Sequence, residues 1–527
     1  MTIRLVQFSA ALSTTTSLKG FSMRPIGIDL GTTYSAIATI GVGGQPEIIR
    51  NNMGQATTPS VVMLESTGEV LVGQEAKQQR VMAPGDIIEF VKRQMGNPTW
   101  AFHGDTEQYS AVAVSAIILR QLVKDASEVL GEDISSVVIT VPAYFKDGQR
   151  NATKQAGEMA GLEVLQVINE PVAAAMSYGV TRGFTGTMLV YDLGGGTFDV
   201  TVVRVANGST FDILAHEGDS QLGGFDFDNL IINWATSEFE AQTGTPVEDT
   251  LEMQAQLRDR CEQAKHKLSQ VDKAPIFISS GGQNVKLVLT REKFEQLASS
   301  LLATTEDITL DVLDAAGITK AQVDKVLLVG GSTRMPMVKR MLTELMGQEP
   351  DQTVHPDEAV ALGAAVAADV NGVQRQGAQQ QTASAAPIVL HDVTSHSLGV
   401  KSLNEQGFLA NTVIIEANTH IPCQVRRTFF TTADNQTDLH VQVTVGDGTD
   451  LRYVEDLGDS HLKIPPHPQQ SPVEVIYSCD IDGMMHVEVI DLVDNNRLGE
   501  FEVERPGAVD QGEVDRMRDA LASLDFQ

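Results

Sequence analysis

The chain has 527 residues, 42% of them hydrophobic and 20% charged. At roughly 150 residues per domain that is about three to four domain-sized units, and the composition excludes wholesale disorder and collagen-like repeats. The formal net charge of −31 repels phosphate backbones and anionic lipid, so nucleic acid and membrane surfaces are not the expected partners.

Only three cysteines occur, Cys261, Cys423 and Cys479. They are far apart and odd in number, which argues against a disulfide scaffold and for a reducing compartment, here the cytoplasm. No stretch approaches the ~20 apolar residues of a spanning helix. The Ser/Thr-rich start lacks the apolar core of a secretory signal. Residues 1–23 are therefore expected to be a disordered extension.

In chain order, Pro25–Ile40 reads as an apolar run, a Gly/Thr turn and a second apolar run, the pattern of a β-hairpin. Helical periodicity follows over Ser110–Leu130, a strand over Ser136–Val141 and a helix over Lys146–Ala160. Met188–Val205 then repeats the first hairpin. In both hairpins an Asp closes the first strand and a Gly follows two residues later: Asp29 with Gly31, Asp192 with Gly194. The repetition predicts a duplicated α/β unit whose halves face a shared cleft. Asn229–Gln242 and Leu251–Ser269 read as helices. Lys325–Val329 is a buried-type strand followed by a Gly-Gly-Ser-Thr-Arg turn, and the Ala-rich Asp357–Ala368 is helical.

The composition then changes. Asn371–Pro387 is Gln-, Ala-, Gly- and Ser-rich without apolar periodicity, which marks a linker. Short strands with turn signals follow: Val413–Glu416, Thr428–Thr432, Leu439–Val445, Val473–Cys479, Met484–Ile490 and Arg497–Glu504. Leu439, Val441, Val443 and Val445 alternate with polar neighbours, the period of a half-buried strand. After Asp510, Val514, Met517, Leu521 and Leu524 follow helical spacing for ~4 turns.

Gly and Thr in a tight turn expose backbone N–H groups in a concave nest suited to anionic oxygens. Two such nests facing one another would clamp a polyphosphate. An Asp beside each nest meets phosphate favourably only through a hydrated Mg²⁺. Ordinary tight turns with Asp would look the same one at a time; the matched pair favours the phosphate reading. Neither turn fits a dinucleotide-binding GxGxxG or a P-loop with its lysine.

These residues and several longer strings resemble the seventy-kilodalton heat-shock chaperones of the DnaK type. The strings are IGIDLGTTYS (26–35), VITVPAYFKDGQR (138–150), INEPVAAAMSYG (168–179), VYDLGGGTFDV (190–200), LGGFDFDN (222–229), LLVGGSTRMPMV (327–338) and HPDEAVALGAA (355–365). Weaker matches are DVTSHSLGV (392–400), ANTHIPC (417–423), FTTADNQT (430–437) and CDIDGMMHVEV (479–489). The resemblance covers about residues 24–505.

It implies an actin-like, two-lobed α/β ATPase domain (24–370), a linker (371–391), an all-β sandwich that binds peptide (392–505) and a short truncated lid helix (506–527). It implies ATP/ADP, Mg²⁺ and K⁺ as cofactors. Asp29, Gly31, Thr32, Thr33 and Tyr34 would form one phosphate hairpin, and Asp192, Gly194, Gly195, Gly196 and Thr197 the other. Asp29, Glu170 and Asp192 would hold the metal through water. Lys92 would serve hydrolysis, because an ammonium near the γ-phosphate stabilises the transferring phosphoryl. Asp199 would stand near the attacking water and K⁺.

Adenine and ribose would meet Gly223, Gly224, Glu262, Lys265, Ser269, Gly330, Gly331, Ser332, Arg334 and Asp357. Glu262, Lys265 and Ser269 share one helix face, where Glu262 and Lys265 could equally form a surface ion pair. Pro142, Arg150 and Asp392 would relay the nucleotide state. Val400, Leu403, Phe430, Ala433, Leu439 and Val441 would wall a cleft for extended apolar peptide, or else be sandwich core.

The expected activity is an ATP-dependent chaperone for unfolded clients, monomeric, served by a J-domain co-chaperone and a nucleotide-exchange factor. The alternatives are a specialised member serving one client and, less favoured, an actin-superfamily sugar kinase. Some positions depart from the family pattern. His391 interrupts an aliphatic linker, which predicts weakened, pH-sensitive docking. Ser395 and His396 replace Pro and Leu, Gln166 replaces the arginine that meets the J-domain, and a Pro-rich run spans Ile464–Pro472. A single short helix in place of a long lid predicts fast peptide exchange.

Overall fold

The computed structural model describes residues 24–65, 69–104, 107–375, 388–404, 406–480, 483–502, 509–522 and 525–526. The expected extension, 1–23, lies outside these, as does 376–387 within the expected linker. Among the described residues no helix is long and apolar enough to cross a membrane.

Two mixed sheets form the first part of the molecule. In one the strand order is Glu163–Asn169, Ser136–Val141, Ile26–Asp29, Tyr34–Ile40, Pro46–Ile49. In the other it is Lys325–Val329, Gly186–Leu193, Phe198–Ala206, Thr210–Asp219, then Val389–Val393 and His420–Ile421. Each contains one of the predicted hairpins, antiparallel within itself and joined to a parallel strand. The repeat read in the sequence is thus a repeat of topology.

Local signals explain the helices. Ser110 accepts a hydrogen bond from the Ala113 N–H at 3.3 Å, capping the helix Ala111–Leu130, which Gly131 ends in the left-handed conformation (φ 68°). Glu170–Arg182 starts with a proline in its first turn. Glu170–Arg182 and Ala359–Arg375 cross between the two sheets, and their Ala-rich faces form a central core with Val190 and Leu327. A Cβ at Gly363 would overlap the Ala173 backbone. The small residues in both motifs therefore set how closely these helices approach.

The β module is two four-stranded antiparallel sheets around one core. One sheet has the order Leu409–Ile415, Leu398–Leu403, Asp438–Val445, Glu455–Lys463; the other Cys423–Phe430, Pro472–Cys479, Met485–Asp491, Asn496–Glu502. The Pro-rich run is anchored by buried His467, whose Nε2 lies 2.7 Å from Asp491 Oδ2. Cys423 and Cys479 lie directly opposite in register, although far apart in the chain; all three thiols are free.

Two expectations need correction. The linker reading 371–391 overlaps ordered elements at both ends, because the preceding helix runs to Arg375 and a strand begins at Val389. That strand pairs in parallel with the second of the two mixed sheets (Thr210 with Val389, Phe211 with Leu390, Asp212 with His391). Backbone hydrogen bonds carry this pairing, and the His391 imidazole points outward, 3.9 Å from Asp212 Oδ1.

The second correction concerns the last helix, Gln511–Ala522. It does not lie over the β module. Val514, Met517 and Leu521 are buried in the core of the first lobe with Leu119, Met159 and Val70. Gln155 brackets its approach, donating to the Val509 carbonyl at 2.6 Å and accepting from its N–H at 3.0 Å. Beyond it, Asp525–Phe526 pairs with Glu69–Val72. A twelve-residue helix is marginal alone; burial of three apolar side chains, at about 1.5–3 kcal/mol each, holds it here.

Candidate functional site

The two hairpin turns meet tip to tip. A Cβ at Gly195 would overlap the Thr33 side chain, one at Gly196 the Thr32 side chain, and one at Gly223 the Gly196 backbone. Glycine at these positions lets the backbones close in. The cleft above them has a volume of about 570 Å³. Asp29, Gly31, Thr32, Thr33, Tyr34, Lys92, Glu170, Asp192, Gly194, Gly195, Thr197, Gly224, Glu262, Lys265, Ser269, Gly330, Gly331, Ser332, Arg334 and Asp357 all line it. Of the residues expected in this cleft, Gly196, Gly223 and Asp199 do not line it: Gly196 packs against Thr32, Gly223 against the Gly196 backbone, and Asp199 is buried.

At the floor, the Lys92 ammonium pairs with the Glu170 carboxylate, both buried. Lys92 sits on a short 3-10 turn, Val91–Gln94, rather than on an α-helix. Asp192 and Asp199 are directly opposite across the second hairpin, a like-charge arrangement that disfavours ionisation of both. Burial raises Asp192 well above the usual carboxylate range, with Glu170, Asp199 and Asp29 adding to it. Asp199, which accepts from the Tyr144 N–H at 2.8 Å, is raised to about 8 by burial and Glu170. Asp29, accepting from the Thr140 hydroxyl at 3.3 Å, is raised to about 7 by burial and Glu170. Four carboxylates thus share one ammonium. A divalent cation among them would let these carboxyls ionise, and an all-oxygen donor set fits Mg²⁺.

Lys265 donates to the Gly224 carbonyl at 2.8 Å and pairs with Asp228 at 2.9 Å. Glu262 does not pair with Lys265; it receives Lys77 at 3.0 Å and Arg80 at 2.9 Å from the opposite lobe. These two cations pull it down to about 2 against the cost of burial. Lys77 also reaches Tyr34 Oη at 3.1 Å, so this cluster bridges the cleft mouth. Ser332 donates to the Gly194 carbonyl at 2.8 Å, and Arg334 pairs with Asp357 at 2.6 Å.

Sequence reasoning missed Asp228, His266, Phe90 and Phe225 in this lining. Phe225 lies between the Arg93 and Arg258 guanidinium groups, 4.6 and 4.4 Å from its ring centroid. Asp228 and Phe225 stand inside LGGFDFDN, so their string carried a signal; the arginine partners come from distant segments and left none.

A polar chain leads out of the cleft. Pro142 ends a central strand, and its carbonyl accepts from Phe145 at 3.2 Å. Arg150 donates to Asn169 Oδ1 and, at 3.2 Å, to the Val167 carbonyl. Asn169 donates to Asp392 Oδ2 at 3.1 Å and immediately precedes Glu170. The linker strand is therefore two hydrogen bonds from Arg150 and one residue from the Lys92 partner. Beside it, Ser395 donates to the Ala143 carbonyl at 2.8 Å. The His396 ring packs edge-on against Tyr144 with centroids 4.3 Å apart. Burial lowers His396 to about 4.

The six residues expected to meet peptide separate. Val400 and Val441 are buried in the sandwich core, at 5% and 3% exposure. Leu439 is half-buried against that core. Leu403 and Phe430 are 52% and 60% exposed, and Ala433 is exposed. Phe408 and Leu409 are exposed as well, an apolar surface the sequence reading passed over.

The family model described as Hsp70 protein matches residues 25–525 of this chain.

Proposed function

The chain belongs to the Hsp70 family, whose members are chaperones and ATPases that bind ATP/ADP with Mg²⁺, and from that premise we propose that it hydrolyses ATP in the cleft and couples hydrolysis to peptide affinity in the β module. The observation that carries this reading is the shared charge at the floor: four carboxylates around a single paired lysine, beneath two glycine turns.

Asp29, Asp192 and Glu170 would hold Mg²⁺ through its waters. The ion would neutralise phosphate charge and orient the terminal phosphoryl group. The amides of the Gly31–Thr33 and Gly194–Thr197 turns would grip the phosphate oxygens, and Thr197 would add its hydroxyl. Lys92, released from Glu170, would stabilise charge on the transferring phosphoryl, while Glu170 and Asp199 position the attacking water. None of these groups need be a strong base, because phosphoryl transfer depends mainly on positioning and electrostatics. Lys265, Ser269, Glu262, Ser332, Arg334 and Asp357 would take the nucleoside, and K⁺ would sit near Asp199.

The Arg150–Asn169–Asp392 chain supports coupling, since any shift of Glu170 moves its neighbour Asn169 and with it the linker strand. The docked linker strand and the Lys146–Glu455 ion pair support assigning this arrangement to the ATP form, with release of the β module on hydrolysis. Leu403, Phe430, Ala433 and Leu439 would receive apolar client segments.

A specialised role with one client is the second reading. It is favoured by Gln166, which accepts from Asn371 at 3.0 Å where the family pattern expects an arginine for a J-domain. Calorimetry with MgATP, followed by hydrolysis assays over a varied peptide set, tests both. Absence of nucleotide binding overturns the ATPase reading. Broad stimulation by peptides supports the generalist, and stimulation by one sequence the specialist.

A further inference from the structure

The outer face of the strand pair Asp438–Val445 and Glu455–Lys463 has a set of side chains that neither nucleotide nor peptide chemistry uses. In register, Asp438 opposes Lys463, His440 opposes His461, and Gln442 opposes Asp459. Opposed residues of an antiparallel pair project from the same face. This face is therefore the one opposite Leu439 and Val441, and it is solvated: His440, His461 and Asp459 are exposed.

The two imidazoles stack, with centroids 4.1 Å apart and planes at 11°. His440 Nε2 lies 2.6 Å from Asp459 Oδ2. His461 Nδ1 lies 2.9 Å from Asp438 Oδ2, and Lys463 holds the other Asp438 oxygen at 3.1 Å. One donor atom each from His440, Asp459 and His461 lies within 4.8 Å of the other two.

A neutral imidazole donates one N–H to a carboxylate, so both contacts form without ring charge, and two imidazolium ions stacked at this distance would repel each other. The neutral ring favoured by this stacking is also the form that ligates a cation. Two imidazoles and one carboxylate suit zinc and its borderline neighbours cobalt, nickel and copper; Mg²⁺ and Ca²⁺ prefer oxygen alone. Asp438 is placed as such sites require. By accepting the Nδ1 proton of His461 it fixes the tautomer and leaves Nε2 free to ligate. Lys463 keeps Asp438 occupied on its own side.

We propose that His440, His461 and Asp459 form a surface binding site for a zinc-class divalent ion, with Asp438 as a positioning residue and the fourth ligand position filled by water. Bound there, the ion clamps two neighbouring strands across their register.

Titration of the full chain with Zn²⁺ against a chromophoric chelator, and with Co²⁺ read by its visible spectrum, tests this. Wild type is expected to take up one equivalent more than the His440→Ala/His461→Ala double variant and to show the bands of tetrahedral, imidazole-ligated Co²⁺. Asp438→Asn is expected to weaken binding by about 10–100-fold with the bands retained. These side chains are exposed, so the variants should fold, and the difference from wild type isolates this site from the cleft carboxylates. Equal uptake by wild type and double variant, or wild type lacking imidazole-ligated bands, overturns the site. Unchanged affinity in Asp438→Asn overturns the positioning role.

Discussion

The cleft between the two lobes and the open end of the β module make opposite demands on side chains. The cleft buries charge: Lys92, Glu170, Asp192 and Asp199 are all nearly inaccessible. The β module exposes apolar surface, with Phe430, Leu403 and Phe408 more than half open to solvent. Each is costly to folding in its own way, buried charge through desolvation and exposed apolar area through lost burial. The lesson is that a site is marked by what its fold does not otherwise need.

The largest expected break falls on the cleft. Lys92→Ala should lower single-turnover ATP hydrolysis by roughly 10²–10³ while calorimetry still detects MgATP. A variant that hydrolyses normally would remove the lysine from the chemistry.

Next, Met517→Ala in the last helix should cost about 2–5 kcal/mol of stability in the first lobe. Trp100 packs against that lobe's core and Trp234 against the second's, and the chain has no other tryptophan. Urea unfolding of a Trp234→Phe background therefore reads the loss locally. An unchanged Trp100 transition would contradict the packing described above.

Asp392→Asn should leave basal hydrolysis near wild type and remove its stimulation by peptide, a coupling typically worth ~1–3 kcal/mol. Retained stimulation would break the Asn169–Asp392 link between the two regions.

Phe430→Ala and Val441→Ala sharpen the contrast within the β module. The first should weaken binding of an apolar peptide with stability unchanged within about 0.5 kcal/mol; the second should cost about 0.5–3 kcal/mol of stability. Fluorescence anisotropy and thermal unfolding separate the two.

The smallest effect is in pH. Asp29 and Asp199 have folded values raised to about 7 and about 8, so the folded lobe holds protons that the unfolded chain releases. Their contribution is present at low pH and is lost as pH rises through about 7 to 8. His396, lowered to about 4, acts oppositely: its contribution is present above ~6.5 and is lost as pH falls toward 4. Lys146, Asp447, Glu455 and His216 surround or act on it. Undocking of the β module below pH 6.5, abolished in His396→Leu, is the expected result. An acid response unchanged in that variant would move the sensor elsewhere.

Much of this was legible beforehand. Asp29 with Gly31 and Asp192 with Gly194 announced the paired turns, because turns packed this closely tip to tip tolerate few residue types. Ser136–Val141 and Lys325–Val329 matched their strands to the residue, being short apolar runs with clear stops. Val400 and Val441 were not separable from Leu403 and Phe430, since all four are apolar residues on strands and only the packed sandwich sorts core from surface. The pairing of Glu262 with Lys77 and Arg80 was equally hidden, because helix spacing offered Lys265 as the nearer partner. His396, which packs on Tyr144, was hidden as well, because nothing local marks it as an interface residue.

By itself the chain of residues determined the duplicated hairpins, the family and most of the cleft lining, all properties of local backbone chemistry and short motifs. The folded structure alone decided where the last helix goes, how the linker pairs, and which apolar or charged groups meet across the lobes. Those outcomes depend on contacts between residues hundreds of positions apart, where periodicity tells that a face must be covered but not by what.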